Sequence, residues 1–262
     1  MHQAKRNRYA GVFIDGRELP TSHKNFNATL AKALDAWIRE GLKLVWLEIP
    51  AELGELLPEA IKLGFELHHC RQQDLMMVKR LQANAYIPDA CTHSIGAGGL
   101  VLSKDRRILV VLEHRDSKTR PGHLKLPGGM LERGEHLAEA VVREVFEETG
   151  IRTTFDGLLG MRHHHRGQFG ASNIYAVFKL SPLTFDICVD GDELAKALWL
   201  PAEEYLSLEE IGAFNRRVVE AALAADALPP EKLDNYMGGP DDYEIFMVDT
   251  ATSGPLDHAP DW

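Results

Sequence analysis

Hydrophobic and polar positions follow one rhythm up to about residue 90 and a different one beyond it. In the first part, apolar positions recur every three or four residues over 26–38 and 56–63, which predicts two helices. A glycine follows each pattern, Gly41 and Gly64, as is common just after a helix. Mostly apolar runs predict strands at residues 11–14, 42–49, 65–69 and 75–81. The order β-α-β-α-β-β suits a small α+β domain.

Residues 82–89 lack periodicity, and we interpret them as a linker. Beyond them, residues 95–102 and 108–113 are predicted to be hairpin strands joined by a polar turn. The strongest helical pattern of the chain lies at residues 136–149. Three more strands and a last helix are predicted at residues 155–162, 173–179, 197–200 and 208–224.

These patterns predict a first domain at residues 1–90, a second at 91–228 and an acidic tail or arm at 229–262. The arm is rich in glycine, proline and acidic residues, which is typical of an extended segment. Within it, residues 243–248 are apolar enough to add as an edge strand or to dock on a partner.

The composition is that of a globular protein, with 262 residues, 45% hydrophobic and 26% charged. The sequence contains no run of about 18 apolar residues, so it predicts no membrane span. The polar, basic residues 1–9 lack the apolar core of a signal peptide. The three cysteines form no C-x-x-C pair, which favours a reducing compartment. We therefore expect a cytoplasmic protein.

The net charge of −10 is concentrated in two segments. Residues 129–151 carry six Glu against two Arg, and residues 231–262 carry eight acidic residues against one Lys. An acidic chain lacks the basic footprint that nucleic acid polymers require, so we expect none as a partner.

The helix predicted at 136–149 combines an apolar stripe with a cluster of carboxylates. Apolar positions recur every four residues from Leu137 to Val145, and Glu144, Glu147 and Glu148 share the other side. Like charges at this spacing repel one another. A solvated acidic face is the simplest explanation of such a triplet. The alternative is a hard divalent cation such as Mg²⁺, which prefers oxygen ligands.

The loop before this helix supports the metal alternative. Glycines at 128, 129 and 134 allow close backbone approach to a ligand, and the carbonyl of Gly128 can join a metal shell. Gly150 supplies a C-cap.

The spacing of the whole segment matches G-x5-E-x7-R-E-U-x-E-E-x-G-U, where U is aliphatic, and thus resembles the Nudix box at every fixed position. The matching residues are Gly129, Glu135, Arg143, Glu144, Val145, Glu147, Glu148, Gly150 and Ile151.

The resemblance to Nudix hydrolases implies an α/β/α sandwich with a mixed sheet and hydrolysis of a nucleoside diphosphate linked to another group. It implies that Glu144, Glu147 and Glu148 bind Mg²⁺ or Mn²⁺, with Glu147 also catalytic. Arg143 and Glu135 would hold the acidic residues in place. Divalent ions would bridge the glutamates and the anionic diphosphate and activate a water molecule.

The resemblance extends over residues 9–210. The N-terminal pattern, with HSIGAGGLVL and SPLTFDI after it, resembles the Nudix type 6-like proteins, which carry a pre-Nudix domain. The resemblance favours ADP-ribose or NADH as substrate, with coenzyme A derivatives as an alternative, and a homodimer.

A carboxylate outside the box is expected to serve as metal ligand or general base. We favour Glu193, six residues before Trp199, because an E…W pattern is similar to that of the family. Asp192 is the rival, and a plain loop glutamate is the alternative.

Three residues are candidates for substrate binding. His165 and Phe169 lie where the subfamily has Arg-x-x-His and Phe-Gly-x-Ser stretches. They are candidates because a histidine can contact phosphate and a phenylalanine can stack on a base. Arg115, in the basic loop before the box, is expected to meet the outer phosphate or ribose. Polar loop edges without a ligand remain the alternative for all three.

Other functions stay open at this point. Within the enzymes, cleavage of coenzyme A or a nucleotide sugar is the alternative substrate class. The order of elements in residues 1–90 is also reminiscent of acetyltransferases, which would make this part a transferase or a non-catalytic binding module. The R/Q-x-x-G-x-G/A loop of such enzymes is missing from these residues, so we expect a structural or dimerisation domain.

Overall fold

We describe the protein from a computed structural model. The chain folds into two compact units, Met1–Thr92 and His93–Trp262. The predicted boundaries after residues 90 and 228 stay predictions. The residues that the structure describes are 5–7, 10–167, 170–189, 191, 193–233, 236, 239 and 241–248.

The first unit is built from a mixed sheet and helices. The helices are α1 (His23–Arg39) and α2 (Leu57–Lys62). The strands are β1 (Lys5–Arg6), β2 (Gly11–Asp15), β3 (Leu44–Pro50), β4 (Glu66–Arg71) and β5 (Asp74–Arg80). They lie in the order β1-β2-β3-β5-β4, and β2 runs parallel to β3. The predicted order of elements is confirmed, with β1 in addition.

The helices of this unit pack on one face of the sheet. The stripe of α1 buries Phe26, Leu30, Leu34 and Trp37 against inward-facing strand residues. Strand side chains alternate between faces, so Trp46 belongs to a second cluster on the opposite face. The segment interpreted as a linker contributes to that cluster, because Ala85 is buried there with 7% exposure. It is therefore part of the packed unit rather than a free connection.

The second unit contains the remaining elements. The helices are α3 (His114–Ser117), α4 (Leu137–Thr149), α5 (Ala202–Ser207) and α6 (Ala213–Ala224). The strands are β6 (His93–Val101), β7 (Arg107–Glu113), β8 (Gly128–Met130), β9 (Thr153–His164), β10 (Ser172–Pro182), β11 (Leu194–Pro201), β12 (Pro230–Glu231) and β13 (Ile245–Phe246). The helix predicted at 208–224 corresponds to α6, which begins only at Ala213 with Gly212 as its N-cap, and α5 lies before the predicted range.

The hairpin predicted at residues 95–113 is present only at its turn, and the predicted pairing of its two strands is wrong. Ser103 N donates to the carbonyl of Arg107 at 2.9 Å, and one bridge joins Leu102 to Ile108. The strands then separate. Both edges of β6 are already occupied, by β8 and by the parallel strand β10, so β7 pairs instead with β11. The sheet order is β8-β6-β10-β9.

Helices cover both faces of this unit. On one face, α4 buries Ala140, Val141 and Val145 in a cluster with strand residues such as Phe178. On the other, α5 and α6 pack on a cluster that includes Val177. The predicted α/β/α sandwich with mixed sheets is confirmed. Within the described residues, no helix has the length and apolar character needed to cross a membrane.

The glycines of β6 permit close packing beside α4. A Cβ atom at Gly98 would lie 2.6 Å from the hydroxyl of Tyr175, and one at Gly96 would lie 2.7 Å from the same ring. On the other face, a Cβ atom at Gly99 would lie 2.6 Å from Val145 Cγ2. The ring of Tyr175 therefore lies across β6, and α4 approaches β6 more closely than a larger residue would allow.

Part of the acidic arm folds back on the second unit. Two residues of the 243–248 segment form strand β13, which pairs with β12 of the same arm in a separate two-stranded sheet and is not an edge strand of the larger sheet. The Phe246 ring lies 5.8 Å from that of Phe155 and 5.6 Å from that of Phe178. The arm is therefore anchored in the cluster that also contains α4.

Candidate active site

The position of the glutamates of helix α4 is fixed by the burial of its apolar face and by the cap at its C-terminal end. Val141 and Val145 are fully buried against the sheet. Gly150 ends the helix in the left-handed region, with φ of 70°, and its N–H donates to the carbonyl of Phe146 at 2.7 Å. The glutamates at 144, 147 and 148 are thereby placed beside the glycine loop at 128–129.

One guanidinium group joins three carboxylates at this site. Arg143 Nε and Nη2 donate to the two oxygens of Glu135 at 2.7 and 3.0 Å. Its Nη1 donates to Glu144 Oε1 and to Glu147 Oε2, both at 3.0 Å. The pKa of Arg143 is raised, mainly by Glu135, and Arg143 in turn lowers the pKa of Glu135. Among side chains, only the planar guanidinium group of arginine has enough donors in fixed directions to bind three carboxylates at once.

Glu148 lies deepest among these carboxylates. Its Oε2 accepts a hydrogen bond from the N–H of Gly128 at 3.0 Å. Burial raises the pKa of Glu148 to about 7, with the charges of Glu144 and Glu193 adding, while the Gly128 N–H and Lys125 oppose the shift. Burial also raises the pKa of Glu144. The site therefore holds negative charge that its own cations do not offset.

The two glycines of β8 bring backbone against the carboxylates. Gly128 has φ of 147°, and a Cβ atom there would overlap the carbonyl oxygen of Ala97. A Cβ atom at Gly129 would overlap the carboxyl group of Glu144. The close backbone approach predicted from the sequence is present.

The donor chemistry of the site fits a hard divalent ion. Carboxylates and a backbone carbonyl are the oxygen ligands that Mg²⁺ prefers. The pKa values of Glu144 and Glu148 are raised mainly by burial and further by neighbouring carboxylates, so a bound cation would stabilise their charged forms. Within the described residues, no three His, Cys, Asp or Glu side chains are arranged to hold a metal as they stand. Arg143 engages both Glu144 and Glu147, so these carboxylates would turn from it to bind an ion.

The candidates outside the box have different positions. Glu193 is exposed, its carbonyl accepts from the His114 N–H at 3.1 Å, and its charge acts on Glu144 and Glu148. The structure thus brings Glu193 close to the cluster. Asp192 and Phe169 lie outside the described residues.

The two remaining candidates for substrate binding are exposed. Arg115 forms an ion pair with Glu113, which also pairs with Lys125 at the edge of the cluster. His165 lies 3.4 Å from the hydroxyl of Ser172 and packs edge-on against the ring of His163. These contacts do not join His165 to the glutamates of α4.

Lys125, another residue of the basic loop before the box that could meet the outer phosphate or ribose, lies at the cluster. Its backbone pairs with Val111, and its side chain points among the acidic groups. Burial lowers the pKa of Lys125, and the charges of Glu148 and Glu193 oppose that shift. A signal was present, because a lysine between the apolar Leu124 and Leu126 breaks the local pattern.

Tyr175 was not predicted from the sequence as a residue of the site. Burial raises the pKa of its hydroxyl to about 12, and the charge of Glu148 adds to the shift. The guanidinium carbon of Arg162 lies 5.7 Å from the centre of the Tyr175 ring and 5.5 Å from that of Phe214. The small residues of β6 were the only hint of this aromatic wall in the sequence.

Two protein families match the chain. The family described as Nudix hydrolase domain matches residues 2–81, and the family described as NUDIX domain matches residues 92–222. The second match contains the glycine loop and α4.

Known proteins are similar to much of the chain. Nudix hydrolase 8 of Arabidopsis thaliana is 36% identical over 76% of this chain and 54% of its own length. The mouse protein nucleoside diphosphate-linked moiety X motif 6 is 32% identical over 84% of this chain and 72% of its own. The solved MutT protein of Methanosarcina mazei Go1 is 27% identical over 50% of this chain and 92% of its own, with a TM-score of 0.42. The chain spans about half the length of the Arabidopsis relative.

Proposed function

Because the chain belongs to the Nudix hydrolase family, we propose that it is a metal-dependent pyrophosphohydrolase acting on a nucleoside diphosphate linked to another group. Members of this family are pyrophosphatases that act on phosphorus anhydrides and generally use divalent metal ions. The observation that carries the proposal is the fork of Arg143, which gathers three box carboxylates beside Glu148.

Glu144, Glu147 and Glu148, with the carbonyl of Gly128, would hold Mg²⁺ or Mn²⁺. When bound, the ion would offset the charge of the diphosphate, polarise phosphorus and lower the pKa of a water molecule. The unbalanced charge and the deep position of Glu148 support this assignment.

The chain's other residues would orient the reacting groups. Arg143 and Glu135 restrict the carboxylates of Glu144 and Glu147 through a bidentate pair, since each fork contact fixes one side chain against another. Glu193 is exposed and acts electrostatically on the cluster, which supports a role as general base for the attacking water.

For the substrate, we favour ADP-ribose or NADH. The residues that would contact the phosphate and the group beyond it are those assigned from the sequence, Arg115, His165 and Phe169. The likeness to proteins named for a nucleoside diphosphate-linked moiety supports this class. The homodimer and the cytoplasmic location stay predictions.

A hydrolysis panel with Mg²⁺ tests the proposal. It would measure the products formed from ADP-ribose, NADH, coenzyme A, a nucleotide sugar, a dinucleoside polyphosphate and a nucleoside triphosphate. We expect cleavage of ADP-ribose or NADH at the diphosphate. Preference for coenzyme A or a nucleotide sugar would correct the substrate, and no hydrolysis of any compound would refute the function.

A matched pair of variants locates the chemistry. Glu147→Gln is expected to lower turnover by at least ~10²-fold, the lower end of what a positioned catalytic group contributes. The control is Glu132→Gln, an exposed glutamate of the loop before α4 that is not a fixed box position. Equal activities in the two variants would remove Glu147 from its assigned role.

A further inference from the structure

The acidic arm caps the helix that carries the box glutamates, in addition to the capping box that His136 and Glu139 form within the helix itself. Glu244 Oε2 accepts from the N–H of Leu137 at 2.5 Å, and Oε1 accepts from the N–H of Ala138 at 3.0 Å. These are first-turn donors for which a helix has no internal partner. A carboxylate there also interacts favourably with the positive end of the helix dipole. The contact joins positions more than 100 residues apart.

The position of Glu244 is fixed on both sides. Phe246, two residues further on, lies among core rings with Phe155 and Phe178. One residue before it, the Tyr243 hydroxyl donates to the carbonyl of Leu233 at 2.9 Å. The Glu244 side chain is only 17% exposed. Its carboxylate is thus held against the start of α4 by the packing of the arm.

The capped turn leads directly to the site. Glu135 lies two residues before Leu137, and its two oxygens hold Arg143. Arg143 then holds Glu144 and Glu147. A shift of the first turn of α4 would therefore move Glu135 relative to Arg143, whereas the buried stripe keeps the middle of the helix in place.

We propose that Glu244 is a positioning residue, by which the C-terminal arm fixes the start of α4 and the Glu135–Arg143 pair. It acts through these residues and touches no reacting group. Its consequence for hydrolysis rests on the proposed function, but its effect on the helix does not. The acidic arm thereby gains a role that its composition alone does not suggest.

Hydrogen exchange and metal binding test this proposal in the full chain. In Glu244→Ala, we expect exchange at the amides of residues 137 and 138 to rise by about fivefold, the change in equilibrium that loss of a helix cap typically produces. We expect the dissociation constant for Mn²⁺, measured by calorimetry without nucleotide, to rise by at least about threefold, a part of what disturbed supporting residues cost a metal site. Turnover should fall while KM for the nucleotide changes little.

Two further variants distinguish the hydrogen bonds of the Glu244 carboxylate from its charge and from the general charge of the arm. Glu244→Gln keeps one acceptor oxygen and loses the charge, so we expect effects in the same direction but smaller. It also carries the test if Glu244→Ala does not fold. Asp241→Asn removes an exposed charge from the same arm and should match the wild type in all measurements.

The outcomes discriminate clearly. Unchanged exchange at residues 137 and 138 in both Glu244 variants would overturn the cap, and faster exchange with unchanged Mn²⁺ affinity and turnover would overturn the positioning role. If the wild type hydrolyses nothing, the proposed function fails, yet the exchange and Mn²⁺ measurements still decide the role of Glu244.

Discussion

The N–H of Gly128 donates to the carboxylate of Glu148 at 3.0 Å and so joins strand β8 to the last turn of α4. The bond favours the charged form of Glu148, but burial outweighs it and raises the pKa to about 7. Without metal, this carboxyl group is therefore close to taking up a proton at neutral pH. A proton and a divalent ion compete for the same oxygens.

The first prediction concerns stability and pH in the metal-free protein. The pKa of Glu148 is about 7 when folded and is taken as 4.5 when unfolded. A raised folded pKa contributes stability below pH 4.5 that is lost as the pH rises through 7. The loss amounts to about 3 kcal/mol, since one pKa unit corresponds to about 1.4 kcal/mol. Urea denaturation of wild type and Glu148→Gln between pH 4 and 8 measures it.

The difference between the two proteins isolates Glu148 from other titrating groups. It should change steadily over that pH window, and a constant difference would contradict the assignment. At pH 8, Mg²⁺ should stabilise the wild type more than Glu148→Gln, because an ion that binds only the folded state adds stability by mass action.

A second prediction concerns the fork of Arg143. Lysine offers one compact charge, so Arg143→Lys cannot hold Glu135, Glu144 and Glu147 together. We expect Mg²⁺-dependent activity to fall by about 10- to 100-fold, as is typical when groups that orient metal ligands are altered. Arg133→Lys, on the exposed loop before α4, is the control. If both variants lose equal activity, the fork has no special role.

A third prediction tests the packing of α4 on β6. A Cβ atom in Gly99→Ala would lie 2.6 Å from Val145 Cγ2 and 2.9 Å from Leu180 Cδ1. We expect a loss of about 1–3 kcal/mol in the free energy of unfolding, the usual cost of an overpacked core. Gly160→Ala has open space around its new methyl group and should change stability by less than about 0.5 kcal/mol. Equal stability of the two variants would show that α4 can shift freely.

A fourth prediction concerns Arg162 beside the site. Its guanidinium lies near the rings of Tyr175 and Phe214, and within the described residues no carboxylate is within ion-pair distance of it. Such a group is available for an anionic part of the substrate. Arg162→Ala should therefore raise KM by about tenfold, the loss of roughly one charged hydrogen bond. Arg152→Ala, beside Phe146, is the control, and unchanged KM in Arg162→Ala would refute the role.

Much of the fold follows from local patterns. The apolar stripes of α1, over residues 26–37, and of α4, over residues 137–145, face the core as their spacing predicts. A helix with one apolar face can bury it only by turning that face towards the core. The box glutamates were placed for a similar reason, since residues at i, i+3 and i+4 must share one side of a helix. Short-range geometry is visible in sequence.

Long-range choices were not predictable in this way. Strand β7 leaves β6 because both edges of β6 are taken, and competition for an edge depends on strands far away in the chain. The same holds for the Glu244 cap, which no motif near α4 indicates. Lys125 acquires its place only when β7 and the loop before the box meet.

The contact between Gly98 and Tyr175 has a consequence for how this protein can diverge. A methyl group at position 98 is blocked by both the hydroxyl and the ring of Tyr175, because it would lie 2.6 Å from the oxygen and 2.8 Å from Cε1, so Gly98→Ala becomes acceptable only after residue 175 has lost its aromatic ring. The two substitutions are therefore non-additive, as expected for residues in contact. The order of events matters, because a lineage that changes position 98 first must pass through a strained intermediate. Tyr175→Phe does not open the route, since the ring carbons stay in place, whereas a change of Tyr175 to a small aliphatic residue does.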